Sequence, residues 1–285
     1  MFDRCLFSFR LILVLLSILP VCANIVGADA ADQPPSRIVS LGPTITEKLY
    51  LLEAQDELVG VTTYCERPPE ARAKEKIGNV TQVNIEEVVQ LNSDLVLATS
   101  LTGSRSVERL KHLGLRVVVF KEPSSFAEMN QQFLELGRIV GREERAEEIV
   151  AVAEQKVERI RNWVKGLPRP KVFVQIGARP LFTATEHSFL NDFIEFSGGI
   201  NIAAGAKTGL YSREAVLWQN PDVIIVVTMG ITSQNEKKAW QKFKSISAVK
   251  HDRIVIMDPY KTCSPTPETF VEALEEMVKA LHPGI

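Results

Sequence analysis

The sequence contains few of the residues from which metal centres and catalytic dyads are usually built. Four histidines and four cysteines occur among 285 residues, and no two histidines have the spacing of a metal-binding pair. The G-x-S-x-G, H-E-x-x-H and G-x-G-x-x-G motifs are all absent from the sequence. We therefore expect no catalytic residue, no metal site and no required cofactor.

A strong net charge and long apolar segments are also missing. The 33 basic and 35 acidic residues leave a net charge of −2, which gives no reason to expect nucleic acid as a partner. After residue 30, no apolar run reaches the roughly 18 residues that a membrane-spanning helix needs. Because 45% of the residues are hydrophobic and 24% are charged, the composition is typical of a soluble globular protein rather than a disordered one.

The first thirty residues have the pattern of a secretory signal peptide. Arg4 and Arg10 accompany the apolar run Leu11–Leu19, which is too short to span a hydrocarbon core of about 30 Å. Small-residue sites suitable for cleavage end at Ala23 and at Ala30, so the mature chain would start near Asn24 or Ala31. We therefore predict an exported, periplasmic protein. A lipid anchor on Cys22 is the alternative, although valine precedes this cysteine where a lipobox normally has a small residue.

Short apolar strands alternate with helical stretches through the rest of the chain, which predicts an α/β fold with parallel sheets. Each strand is rich in β-branched residues and almost continuously apolar, as expected when both faces of a sheet are covered. The predicted strands are Arg37–Leu41, Leu58–Thr62, Leu95–Ala98 and Val117–Phe120 in the first half, and Lys171–Ile176, Val223–Thr228 and Arg253–Met257 in the second.

One amphipathic helix separates the two halves. From Arg142 to Lys165, apolar residues recur at steps of three and four, which indicates a helix about 33 Å long with a single buried face. Pro168 and Pro170 follow and end it. We therefore predict two α/β lobes, each with a parallel-type sheet flanked by helices, joined by one long rigid helix. After the signal peptide, the predicted segments are residues 31–141, 142–166 and 167–285.

The two halves share an internal repeat. Residues 84–97 align without gaps on residues 212–225, at an offset of 128 residues, and Glu86 aligns with Glu214. Each copy has the pattern of a capped helix, a tight Asn-x-Asp turn and a buried strand. Since both copies place a glutamate near the start of the helix, we favour a true repeat over chance similarity.

Polar and aromatic residues follow the predicted strands, and ligands gather at these strand ends in parallel sheets. Hydroxyl, aromatic, sulfur-containing and cationic side chains occur there instead of an acid–base pair. This set suits a sizeable and partly apolar ligand held between two lobes. The candidate ligand-binding residues are Tyr64, Cys65, Ser100, Thr102, Arg179, Thr228, Met229, Tyr260 and Cys263.

A resemblance to a known family covers residues 37–281. Its most specific segments are Val59–Pro69, Asn84–Ala98, Val172–Gly177 and Gly198–Ile202. The sequence resembles the helical-backbone (class III) periplasmic binding proteins of ABC importers for cobalamin, iron–siderophores and haem, and most of all the cobalamin-binding members. The resemblance implies a monomeric binding protein. It would capture cobalamin or a related corrinoid such as cobinamide in an inter-lobe cleft, close slightly, and deliver the ligand to a permease dimer.

The resemblance also implies a docking role for the two glutamates of the repeat. In the family, one surface glutamate of each lobe docks into arginine pockets of the paired permease subunits, and Glu86 and Glu214 stand at those positions. A guanidinium fork holds a carboxylate by two charge-assisted hydrogen bonds. The alternative is that both residues are acids favoured by the dipole at a helix start.

The resemblance gives weaker support for the identity of the ligand than for the docking role. Tyr64 matches an aromatic residue that packs on the corrin in cobalamin-binding relatives. Val80, Thr99 and Thr208 stand where those relatives have cleft tryptophans. Because this departure reduces the stacking surface, haem or an iron–siderophore chelate is the alternative ligand.

Cys65 and Cys263 are the cysteines that remain after removal of the signal peptide, one in each lobe. Two inert thiols, a disulfide across the cleft and thiolate ligation of a metal are the three alternatives. The disulfide requires Cα atoms within about 7 Å of each other. A function of another class, a secreted α/β enzyme with Cys65 as its nucleophile, is the competing hypothesis.

Overall fold

The predicted alternation of strands and helices is present in a computed structural model of the protein, which describes residues 33–228 and 233–284. The predicted signal peptide and Met229 lie outside the described residues. The first half contains β1 (Ile38–Ser40), α1 (Pro43–Leu51), β2 (Leu58–Val61), a 3₁₀ helix (Pro69–Ala73), β3 (Glu75–Lys76), α2 (Ile85–Gln90), β4 (Leu95–Thr99), α3 (Ser104–His112), β5 (Arg116–Phe120), α4 (Phe126–Ile139) and α5 (Glu143–Val164).

The second half repeats the alternation with shorter elements. It contains β6 (Lys171–Ala178), β7 (Leu181–Thr183), α6 (Leu190–Phe196), β8 (Ile200–Asn201), α7 (Arg213–Gln219), β9 (Val223–Val226), α8 (Ser233–Trp240), α9 (Ser247–Lys250), β10 (Ile254–Ile256), α10 (Pro259–Cys263) and α11 (Pro267–Leu281). No helix among the described residues is long and apolar enough to cross a membrane.

Each half forms its own sheet around an equivalent central strand. The first sheet is parallel throughout and has the order β3-β2-β1-β4-β5. In the second sheet, of order β10-β9-β6-β7, strand β8 also pairs with β6. Strand β1 between β2 and β4 therefore corresponds to β6 between β8 and β9. The predicted α/β fold with two sheets flanked by helices is confirmed.

The sequence repeat corresponds to one helix–turn–strand unit in each lobe. Asn92 and Asn220 both take the left-handed conformation, with φ of 48° and 50°, which asparagine adopts more readily than most residues. The carboxylates of Asp94 and Asp222 then accept hydrogen bonds from backbone N–H groups just before β1 and at the first residue of β6. Each aspartate thereby ties the strand of its repeat to the central strand of its sheet.

Helix α5 contributes its apolar stripe to the cores of both lobes. Ala146 near its start packs in the core of the first lobe, whereas Val157 packs in that of the second. Helix α4 packs against α5 and also reaches both cores, with Phe126 in the second and Phe133 in the first. Burial of a large apolar side chain such as phenylalanine contributes about 1.5–3 kcal/mol to folding stability. Helix α4 therefore holds the two lobes together along with the predicted bridging helix α5.

The second sheet has one antiparallel edge strand. Strand β6 continues to Ala178, and the chain turns at Arg179 and Pro180 into β7. The sequence predicted that this strand ends at Ile176, because Gly177 interrupts the apolar run. In the structure the strand continues to Ala178, and a two-residue turn, which is enough for a hairpin, leads into β7. The turn places Arg179 at the tip of a hairpin rather than in a loop after a parallel strand.

Candidate functional site

A cavity of about 540 Å³ lies between the two lobes. The first lobe lines it with residues from the start of α1, from the segment after β2 and from the ends of β4 and β5. The second lobe contributes Pro259 and Tyr260 of α10 and the adjacent Ser264. The cavity therefore lies at the carboxyl ends of parallel strands, where sheets of this type bind ligands, and its volume is in the range of small-molecule sites.

Gly42 allows the start of α1 to approach the end of β4 at the cavity wall. A Cβ atom at this position would lie 2.6 Å from Cγ2 of Thr99, which is closer than two carbon atoms can pack. The next residues, Pro43 and Thr44, line the cavity, as does Thr99 itself. The absence of a side chain at Gly42 is therefore part of what shapes this wall.

The turn that carries Tyr64 is anchored from below by Cys65. The thiol of Cys65 is buried, with 0% exposure, and its sulfur lies 3.1 Å from the hydroxyl oxygens of both Thr46 and Thr62. Tyr64, the neighbouring residue, is 63% exposed and lines the cavity. Alternation along the turn thus places one side chain in the core and the next in the site.

Arg67 connects the two walls of the cavity. Its guanidinium donates a hydrogen bond of 2.9 Å to the carboxylate of Glu47, which is largely buried. The same guanidinium lies over the ring of Tyr260, 4.7 Å from its centroid. Since Glu47 belongs to the first lobe and Tyr260 to the second, this cation–π contact crosses from one lobe to the other.

Burial shifts the pKa values of two neighbouring residues of α1. Burial raises the pKa of Glu47, and the positive charge of Arg67 opposes this shift. Burial lowers the pKa of Lys48 to about 8, although the nearby carboxylates of Glu122 and Glu47 oppose the change. Burial therefore disfavours the charged forms of both side chains at this wall, and Arg67 is the largest influence that opposes the shift of the Glu47 pKa.

Two of the predicted ligand-binding residues line the cavity, one from each lobe. Tyr64 lines it from the first lobe and Tyr260, which is 49% exposed, from the second. Residues 259–263 form α10, and the carboxylate of Asp258 accepts a hydrogen bond from the N–H of Tyr260. A helical turn therefore presents this tyrosine to the cavity.

The structure places the other described candidates outside the cavity lining. Ser100 is exposed beyond the end of β4, and Thr102 is buried with its hydroxyl accepting a hydrogen bond from the N–H of Thr99. Arg179 is exposed at the hairpin turn after β6. Thr228 is buried, with its hydroxyl 2.9 Å from that of Ser233. None of these four side chains is among the described lining residues of the cavity.

The two cysteines are free thiols. Burial raises the pKa of the Cys263 thiol to about 11, and this residue lies next to the cavity-lining Ser264. The Cys65 sulfur, buried between two threonines, is not accessible to a ligand, which argues against the hypothesis of a nucleophile at this position. In the described part of the chain, no cluster of histidine, cysteine, aspartate and glutamate has the arrangement of a metal site.

Sequence reasoning missed the polar half of the site, which is made of Glu47, Arg67 and Glu122. The rule that ligands gather at strand ends applies to the segments after β1 and β5 as well, but no candidate residue was predicted in either segment. Arg67 falls within one of the segments that carry the family resemblance. Val80 and Thr99 line the cavity, whereas Thr208, the third position at which the resemblance implies a cleft tryptophan, is not among its lining residues.

The two glutamates of the repeat occupy equivalent, exposed positions. Glu86 lies in the first turn of α2, after the N-cap Asn84, and Glu214 lies in the first turn of α7, after the N-cap Ser212. Both side chains are exposed to solvent. In each helix the residue two positions later is fully buried, so each glutamate faces away from the core of its lobe.

This fold, with its inter-lobe cavity, agrees with comparisons to known proteins. Residues 38–261 match the family described as periplasmic binding protein. The chain belongs to that family. It is 31% identical over 270 residues, 90% of this chain and 84% of the relative, to an uncharacterized ABC transporter substrate-binding lipoprotein, YvrC, of Bacillus subtilis.

Two solved structures are similar over almost the whole binding protein. A possible iron-binding (periplasmic solute-binding) protein of Staphylococcus epidermidis has a TM-score of 0.78 and 28% identity, covering 88% of this chain and 100% of that one. The vitamin B12-binding protein BtuF of Vibrio cholerae has a TM-score of 0.73 and 26% identity, covering 87% and 97%. The prediction of a substrate-binding protein of the ABC-importer type is confirmed, and the family consists of binding proteins rather than enzymes.

Proposed function

We propose that this binding protein captures a corrinoid, cobalamin or its precursor cobinamide, in the inter-lobe cavity and delivers it to an ABC permease. The observation that carries the proposal is the charge of the lining. The described lining contains three glutamates, Glu47, Glu66 and Glu122, against two arginines, Arg67 and Arg72. Such a cavity attracts cationic ligands, can accept neutral ones and offers no net attraction to an anion.

The arginines are also engaged within the protein. Arg67 is held by Glu47 at 2.9 Å, and Arg72 lies 3.9 Å from Glu66 at the exposed rim. Haem has two propionates, and many ferric siderophores carry a net negative charge, so that both need cations that are free to pair. Cobalamin has no net charge and cobinamide is cationic. The charge balance therefore favours a corrinoid over haem or a ferric chelate.

The aromatic and apolar lining supports the same ligand class. Tyr64 and Tyr260 present flat rings from opposite lobes, and each carries a hydroxyl that can bond to the amide groups around a corrin. Pro43, Val80 and Leu101 add apolar surface. The combination matches a large ligand with an apolar ring and a polar amide periphery.

An absorbance titration tests the ligand class. Purified protein is titrated with cyanocobalamin, cobinamide, haemin and ferric enterobactin, and chromatography of the recovered ligand checks for turnover. We expect saturable binding of a corrinoid, affinity for the two anionic ligands at least about 100-fold lower, and unchanged ligand after release. Preference for haemin or ferric enterobactin would contradict the proposal, and chemical conversion of any ligand would favour an enzyme.

Docking to the permease through Glu86 and Glu214 is the second part of the proposal. Both carboxylates are exposed at equivalent positions of the two lobes, as two pockets of a two-fold symmetric partner require. We expect Glu86→Ala combined with Glu214→Ala to abolish ligand-stimulated transport and to leave ligand affinity unchanged. The matched control is Glu143→Ala with Glu268→Ala, which removes two other exposed acids from first helical turns. A loss of ligand affinity in the double variant, or equal loss of transport in the control, would refute the assignment.

The proposal places the protein in the periplasm after removal of residues 1–30, in keeping with its periplasmic and lipoprotein relatives. Mass spectrometry of the protein from the periplasmic fraction tests this directly. We expect a mass without the predicted signal peptide. A mature chain that starts at a lipid-modified Cys22, recovered from membranes, would show instead that the protein is a lipoprotein.

A further inference from the structure

Trp218 is the most exposed large apolar side chain in the described part of the protein. Its exposed fraction is 84%, compared with 51% for Trp163 and 0% for Trp240. Tryptophan is the residue whose exposure leaves the largest apolar area in water, and it is enriched at the energetic centres of protein interfaces. Packing within the lobe does not explain this exposed indole, which suggests a role in contact with another molecule.

The exposed indole is carried by a firmly held helix. In α7, Val216 is fully buried, and the side chain of the N-cap Ser212 accepts a hydrogen bond from the N–H of Ala215. Arg213 donates to the carboxylate of Glu236 at 2.7 Å, and its guanidinium lies 4.4 Å from the centroid of the Trp240 ring. Trp218 is therefore displayed on a fixed support, which lowers the entropy lost when a partner binds.

Trp218 and Glu214 lie on the same face of α7. They are four residues apart, and residues at this spacing are neighbours on a helix surface. A carboxylate beside an indole ring is best matched by a guanidinium group. The carboxylate accepts its paired N–H donors, while the ring supplies a face for cation–π stacking.

We infer that Trp218 belongs to the docking surface and stacks on the permease arginine that binds Glu214. The inference rests on the proposed docking of Glu214, and it names a contact that the carboxylate alone does not provide. The aligned residue of the first lobe is Gln90, one turn after Glu86 and polar. The two halves of the docking surface are therefore unequal, and the second lobe makes the stronger contact with the permease.

Binding of the purified protein to its permease–ATPase complex in nanodiscs tests the inference without a transported ligand. Trp218→Gln gives the second lobe the residue that the first lobe has at this position. We expect it to weaken binding about 10- to 30-fold, as loss of an interface hot spot does. We expect Trp163→Gln, which removes an exposed tryptophan from α5 outside the proposed docking surface, to change binding less than about threefold.

A double-mutant cycle separates this contact from general apolar attraction. If one arginine binds both side chains, Trp218→Gln weakens permease binding less in a Glu214→Ala background than in the unchanged protein.

Equal binding of Trp218→Gln and the unchanged protein would overturn the inference and leave the docking of Glu214 standing. If the double variant of Glu86 and Glu214 binds as well as the unchanged protein, the proposed docking fails, and this inference with it. A protein dimer that dissociates on Trp218→Gln, with permease binding unchanged, would also overturn it. Melting temperature and corrinoid affinity of each variant confirm that the fold is intact.

Discussion

Replacement of Arg67 by methionine tests the polar contact that joins the walls of the cavity. Methionine keeps much of the apolar stem of arginine and removes its charge. In the unchanged protein, the guanidinium is 2.9 Å from the carboxylate of Glu47 and 4.7 Å from the ring centroid of Tyr260. The substitution therefore removes one ion pair and one cation–π contact and leaves Glu47 largely buried without its partner.

The expected loss of stability follows from the burial of the pair. The side chains of Arg67 and Glu47 are 32% and 16% exposed, between the exposed pairs worth about 0.2–1 kcal/mol and the buried pairs whose disruption costs about 3–5 kcal/mol. We take about 2 kcal/mol for the ion pair and about 0.5–1 kcal/mol for the cation–π contact. Unfolding free energy near neutral pH should fall by about 2–3 kcal/mol, which lowers the melting temperature by about 5–10 °C in a protein of this size.

The effect depends on pH because the pKa of Glu47 is raised by burial in the folded protein. A carboxyl group with a raised folded pKa binds a proton in the native state that the unfolded chain has already lost. Stability therefore falls as the pH rises from the ordinary value of 4.5 through the folded pKa. Removal of Arg67 raises the pKa of Glu47 further, since Asp258 and Glu272 add to the shift and only Lys48 remains to oppose it.

Urea denaturation at about pH 4 and about pH 7.5 measures the difference. At the acidic pH Glu47 is largely protonated, and the ion pair is already lost. Arg67→Met should then remove only the cation–π contact and lower the unfolding free energy by about 1 kcal/mol or less. Arg72→Met is the matched control, because this arginine of the same segment is 65% exposed and lies 3.9 Å from Glu66. It should change stability by less than about 0.5 kcal/mol at either pH. An equal penalty for Arg67→Met at both pH values would refute the assigned role of Glu47.

Three further predictions concern the cavity, the repeat and the second-lobe cysteine. Tyr64→Ala and Tyr260→Ala should each weaken corrinoid binding about tenfold in the absorbance titration, because each removes one aromatic wall; unchanged affinity would place the ligand elsewhere. Asp222→Ala leaves the N–H of Lys171 without its acceptor at 2.9 Å and should lower the unfolding free energy by about 1–2 kcal/mol in urea, with Asp222→Asn less harmful. Because burial raises the pKa of the Cys263 thiol to about 11, iodoacetamide should alkylate it at about pH 8 roughly 100-fold more slowly than free cysteine, and a comparable rate would contradict that environment.

Local sequence pattern was sufficient for most of the fold. All seven predicted strands are present, and the predicted helix from Arg142 to Lys165 differs from α5 by one residue at each end. Strand and helix periodicities depend on neighbours in the sequence, which is why they were readable. The short strands β3, β7 and β8 were not predicted, since β3 and β8 have only two residues each and β7 is the return strand of a hairpin with β6.

The candidate site was predicted only in part. Tyr64 and Tyr260 could be found because strand ends are marked in the sequence and aromatic residues are conspicuous there. Arg179 lies at the turn between β6 and β7 and is not among the residues that line the cavity. Glu47 was missed because it lies a full turn inside α1, and only the approach of Arg67 gives its carboxylate a partner.

The sequence by itself determined the two α/β halves, the helix between them and the equivalence of Glu86 and Glu214. The halves and the helix follow from periodicities among residues close together along the chain, and the equivalence of the two glutamates follows from the alignment of one half on the other. Tertiary structure alone decided which side chains meet at the cavity. Arg67 reaches Glu47 and Tyr260 because the two lobes are held together through α4 and α5, and that packing brings together residues far apart in the sequence. It also left Trp218 exposed on the face of α7 that carries Glu214, since the buried side of that helix is filled by Val216.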